Sequence, residues 1–105
     1  MLEIQLRAAE VFGLALSGQN LTRAFEDCFR QHGELTAQQR GAIREVCYEG
    51  LRAKALLSAQ LGRLLVTQIR HPALYSLLLV ALAQLQFSRA KPYAVVDHAV
   101  RAAEA

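Results

Sequence analysis

Three histidines, two cysteines and one pair of glutamates are the side chains of this chain best placed by type to do covalent or acid–base chemistry. His32, His71 and His98 lie far apart, and none has a carboxylate or a thiol three or four residues after it. They read as surface or helix-capping residues. Glu45 and Glu49 stand one helical turn apart, a spacing at which two carboxylates can share acid–base work. Arg44 and Arg52 flank them, so the pair reads instead as a solvated charge cluster. Cys28 and Cys47 are separated by 19 positions and form no C-x-x-C pair, which supports neither a zinc site nor a disulfide framework. Their flanks are apolar helical positions without the charges that activate a thiolate, so both are expected to be small buried hydrophobes. No Gly-rich phosphate loop occurs; Gly41 and Gly50 are isolated within helical stretches. The chain is expected to hold no active site, no metal and no cofactor of its own.

The arginines offer a different chemistry. The net charge is only +3, but its distribution is uneven. Between residues 40 and 91 the cations Arg40, Arg44, Arg52, Lys54, Arg63, Arg70, Arg89 and Lys91 face only Glu45 and Glu49, a net +6. Residues 1–34 carry −2 and the stretch from Pro92 carries −1. A basic middle between acidic ends suits a polyanion. A guanidinium forks onto phosphate oxygens and stacks on unpaired bases, and each neutralised phosphate releases counterions. Helix N-termini near Thr36 and Pro72 offer further N–H groups to phosphate. Tyr48, Tyr75, Tyr93 and Phe87 are the available stacking platforms, although their helical spacing favours core positions.

The elements that must carry these residues are helices. With 105 residues, 53% hydrophobic and 20% charged, the chain suits one ordered domain and excludes disorder and low-complexity classes. Ile4, Ala8, Val11, Phe12 and Ala15 recur at three- and four-residue steps, and Gly18 stops that helix. Asn20 caps a second, with Leu21, Ala24, Phe25, Cys28 and Phe29 inward and Gly33 ending it. Thr36 with Gln39 is a capping-box pair opening a third, whose apolar stripe is Ile43, Val46, Cys47 and Gly50. Continuing that register would place Lys54 in the core and Leu56 in water, so a break is expected near residues 50–55. Leu57, Leu61, Leu64 and Leu65 then face inward. Pro72 opens a helix with Leu74, Leu77, Leu78, Ala81, Leu82 and Leu85, supplemented by Leu79 and Val80; apolar nearly all round, it should be central. Pro92 starts the last, with Val95, Val96, Ala99, Val100 and Ala103. An apolar groove is expected beside Val96, Val100 and Ala103, since that helix is apolar enough to want neighbours on more than one side. No strand pattern or internal repeat competes. The start MLEIQLRAAE lacks the apolar run of a signal peptide, and Leu77–Ala83 is far too short to span a membrane, which points to the cytoplasm and no membrane partner.

Four ordered motifs carry a resemblance. They are LRAAEVFGLALSGQNL, the set Arg40, Ile43, Tyr48, Leu51 and Arg52, the helix ALYSLLLVALAQLQF, and the run from Lys91 through Pro92, Tyr93, Ala94, Val95, Val96, Asp97, His98 and Ala99 to Val100. Together they resemble the NusB-like RNA-binding domain over nearly all of residues 1–105. The closer likeness is to the version at the N-terminus of bacterial ribosomal RNA cytosine-5 methyltransferases of the Sun/Fmu/RsmB type. Two departures stand out: Glu49 follows Tyr48 where the family commonly has glycine, and the family's further final helix is absent. The arginine-rich first helix of the antitermination factor NusB is also missing, since Arg7 is the only basic residue of the first helix.

The resemblance implies an all-α, six-helix NusB-like bundle lacking that final helix, a fragment of a longer methyltransferase serving rRNA processing. It implies a substrate-recognition module for ribosomal RNA. A separate catalytic domain would bind S-adenosylmethionine and carry the catalytic cysteines, a role Cys28 and Cys47 do not inherit. The expected RNA contacts are Arg40, Arg44, Arg52, Lys54, Arg63, Arg89 and Lys91. Expected partners are ribosomal RNA, the chain's own C-terminal catalytic domain, and a second copy through the groove near Val96 and Val100. Two alternatives stay open: a NusB-type transcription antitermination factor, and a helical protein–protein docking module.

Overall fold

Six helices follow one another with no strand among the described residues: α1 (Leu2–Leu16), α2 (Leu21–Gln31), α3 (Ala37–Arg52), α4 (Lys54–Leu64), α5 (Pro72–Phe87) and α6 (Pro92–Glu104). The computed structural model describes residues 2–64, 71–87 and 91–104. Local signals set most helix ends. After α1, Gly18 takes φ +103°. Gln19 N then donates to Leu14 O at 3.0 Å and Gly18 N to Ala15 O at 3.1 Å, the paired bonds of a Schellman motif. Asn20 Oδ1 accepts from Arg23 N at 3.2 Å and caps α2. Thr36 and Gln39 exchange side-chain bonds to each other's backbone N–H, completing the expected capping box. His71 Nδ1 accepts from Leu74 N at 3.4 Å, with Pro72 as the first residue of α5. The expected break falls at Ala53, between α3 and α4.

α1 and α5 run through the middle. α5 lies against α1, α3, α4 and α6, and α1 also meets α2, α3 and α6. The core is built from Ala8, Val11 and Phe12 of α1, Phe25, Cys28 and Phe29 of α2, and Ile43, Val46 and Cys47 of α3, with Leu79 and Val80 of α5. The radius of gyration is 12.8 Å, the value expected of a closely packed chain of this length. α1 and α3 touch without a spacer: a Cβ added at Gly50 would sit 2.5 Å from Cε2 of the fully buried Phe12 ring.

The buried stripe of α3 is the one its periodicity predicts, including Gly50. α5 differs. Its buried residues are Ser76, Leu77, Leu79, Val80, Ala81, Ala83 and Gln84, while Leu85 is exposed and Leu74, Leu78 and Leu82 are half-buried. A helix apolar on every side carries no stripe to set its rotation, so its neighbours set it. Gln5 and Gln84, absent from the expected core, are buried and bonded to each other: Gln5 Nε2 donates to Gln84 Oε1 at 2.8 Å and to Val95 O at 3.0 Å, tying α1, α5 and α6, while Gln5 Oε1 is buried with no partner among the described residues. Leu57 and Leu61 are buried as expected. Leu65 lies outside the described residues, as does the side chain of Leu64.

Candidate nucleic-acid interface

The seam between α2 and α3 gathers cations on an aromatic base. α2 turns Phe25 and Phe29, one turn apart, toward α3, and their rings stack at 5.8 Å with 17° between planes. From α3, the Arg44 guanidinium carbon stands 4.9 Å and that of Arg40 5.6 Å from the Phe29 ring centre. Both distances are cation–π distances, and the two guanidinium groups roof a ring that is 9% exposed. Arg40 also donates to Gly33 O at 3.4 Å. Neither arginine forms an ion pair among the described residues. One turn beyond Arg44, the Tyr48 ring lies 5.7 Å from Phe25, tilted by 47°. Tyr48 is 47% exposed, which corrects its expected core position; Tyr93 and Phe87 are exposed too.

None of the other expected contacts among the described residues stacks on this ring. Arg52 ends α3 about 18 Å along its axis from Arg40. Its Nη1 is 3.2 Å from Glu49 Oε1, so it is partly neutralised. Lys54 and Arg63 are exposed at the two ends of α4. Lys91 precedes α6, with its Nζ 6.0 Å from the Tyr93 ring centre. Arg89 and Arg70 lie outside the described residues. Packing therefore joins Arg40 and Arg44 through a shared ring, leaves Arg52 and Lys54 beside each other across the α3–α4 break, and places Arg63 and Lys91 at separate helix ends.

A second polar cluster was not legible from spacing. Arg7 of α1 is 15% exposed; its Nε is 3.2 Å from Glu3 Oε1 and its Nη1 2.8 Å from Glu10 Oε1. His32 Nε2, at the end of α2, lies 2.6 Å from the same Nη1 and 3.4 Å from Glu10 Oε2. Potential ligand atoms of Glu3, His32 and Glu34 fall within 4.8 Å of one another. Arg7 already supplies positive charge there, and an arginine so held is withdrawn from external phosphates. His32, expected only at the surface or as a cap, does cap α2 through its backbone N–H to Cys28 O, and joins this cluster as well.

Both thiols are buried and protonated at neutral pH. Burial pushes Cys28 up to about 11, with Glu10 adding to the rise, and burial pushes Cys47 up to about 12. Between α4, α5 and α6, an apolar groove of about 360 Å³ is lined by Leu61, Leu78, Leu82, Leu85, Val96 and Val100. It meets the expectation of a groove beside α6, where Val96 and Val100 are 52% and 53% exposed.

Set against known families, residues 3–105 match the model described as the NusB family. The chain belongs to the NusB family. The match spans all six helices, so the bundle described above is the NusB fold as this sequence builds it. No curated protein and no solved structure gives a match. No described helix is long and apolar enough to cross a membrane.

Proposed function

We propose that this NusB-family domain binds RNA, with Arg40 and Arg44 on the α2–α3 seam as its anchoring contacts and Arg52, Lys54, Arg63, Arg89 and Lys91 as further ones. The observation that carries the reading is the pair of unneutralised guanidinium groups stacked on Phe29. The ring fixes their positions in advance, so less side-chain freedom is lost when they meet phosphate. Fluorescence anisotropy with a labelled RNA tests it. Three phosphate contacts on a single strand would weaken binding roughly twentyfold between about 50 and 200 mM salt. Arg40→Gln with Arg44→Gln should flatten that dependence; affinity indifferent to salt would overturn the reading.

Within that function, the domain serves as the RNA-recognition part of a ribosomal RNA cytosine-5 methyltransferase. Its catalytic domain, with S-adenosylmethionine, lies on another part of the protein. The supporting observation is in α1: its one cation, Arg7, is engaged by Glu3, Glu10 and His32, leaving this helix without the free arginines of an antitermination factor. The reading frame beyond residue 105 tests the assignment. Continuation into a methyltransferase domain supports it, and a stop there returns the antitermination reading to first place.

A further inference from the structure

We propose that Tyr48 is a base-stacking platform that makes this surface select unpaired RNA over duplex, an inference that rests on the RNA-binding reading above. Large apolar groups on a folded surface are ordinarily turned inward, yet Tyr48 is 47% exposed on α3, the described helix with the most arginines. Its ring is not adrift. It leans on Phe25, which is 4% exposed and is itself stacked on Phe29, so a buried ring holds the tyrosine from behind. Arg44 stands one turn before it and Arg52 one turn after, each about 6 Å away along the helix axis. Arg52 is shared with Glu49, so the cation beside the ring with no ion pair among the described residues is Arg44. An exposed aromatic face next to such a guanidinium is the pattern used for single strands, in which a base stacks on the ring while a neighbouring phosphate meets the cation. A duplex hides its base faces inside the stack, so only an unpaired nucleotide can use the ring. The Phe25 contact also lowers the entropy lost on stacking, because the ring is already oriented.

The test compares a 12-nucleotide fluorescein-labelled single strand with its blunt duplex. Wild type should bind the single strand more tightly. Tyr48→Ala should weaken single-strand binding roughly tenfold, with the salt slope and the duplex affinity unchanged. Tyr48→Phe should restore it, since a phenyl face stacks as a phenol does. Arg44→Gln should instead lower the salt slope, by about 0.7 for one phosphate. Because Tyr48 touches Phe25, Tyr48→Leu provides a variant that keeps an apolar contact without a π face; with a wild-type melting curve it should bind as Tyr48→Ala does. Single-strand affinity unchanged in both Tyr48→Ala and Tyr48→Leu, with Arg44→Gln still weakening it, would overturn the platform and leave the RNA-binding reading standing. Wild type binding neither RNA would overturn both.

Discussion

At the scale of single residues, burial decides what each polar group can do. Cys28 and Cys47 ionise only near 11 and 12 because a thiolate loses its hydration in the core. In the unfolded chain both return toward 9.0. Between those limits the folded protein holds protons that the unfolded one releases, so stability should fall as pH rises above about 9. Urea unfolding of the wild type and of Cys28→Ala/Cys47→Ala between pH 8 and 11 checks this, with the alkaline decline shallower in the variant. A thiol reagent at neutral pH should label neither cysteine until the protein unfolds. Gly50 shows the same logic for space. With Phe12 Cε2 2.5 Å from where a Cβ would stand, and that ring closed in on all sides, Gly50→Ala should destabilise by about 1–3 kcal/mol. A lower urea midpoint with an unchanged slope would be the signature.

Among the elements, α3 carries the most function and is the one best specified locally. Its capping box satisfies two backbone N–H groups, its stripe of Ile43, Val46, Cys47 and Gly50 sets its rotation, and that rotation turns Arg44 and Tyr48 outward. Thr36→Ala should therefore cost about 1 kcal/mol and loosen the start of the helix that bears Arg40, readable as faster amide exchange in its first turn. α5 is the contrary case. Its apolar surface has no preferred side, and the polar bridge from Gln5 to Gln84 and Val95 O helps to fix its position instead. Two amides in a core reward only the register that pairs them, whereas leucines tolerate several.

For the whole molecule, charge and apolar surface are segregated. The α2–α3 seam carries the exposed Arg44 and the half-buried Arg40, and the groove between α4, α5 and α6 carries the exposed Leu85, Val96 and Val100. Open apolar surface of this kind should bind the dye ANS in the native state. Val96→Asp with Val100→Asp should reduce that emission while changing stability by only about 0.5 kcal/mol, since both side chains already reach solvent. Undiminished emission would mean that the groove is closed in solution.

The NusB-family bundle was largely written in local signals. Caps at Asn20 and Thr36, the stop at Gly18, prolines opening α5 and α6, and the break before Lys54 all act over three or four residues, which a linear reading resolves. The basic bias of residues 40–91 is likewise a property of the chain as written. Tertiary structure alone decided which of those cations act together. Arg40 and Arg44 meet Phe29 because α2 and α3 both pack on α1, whereas Arg63 and Lys91 are carried to helix ends of their own. Arg7 is closed on by Glu10 and His32, partners its spacing does not reveal, and Tyr48, whose spacing favours the core, is turned outward by the rotation of α3. These outcomes depend on the angle and rotation at which helices meet, quantities summed over many side chains that no short window of sequence contains.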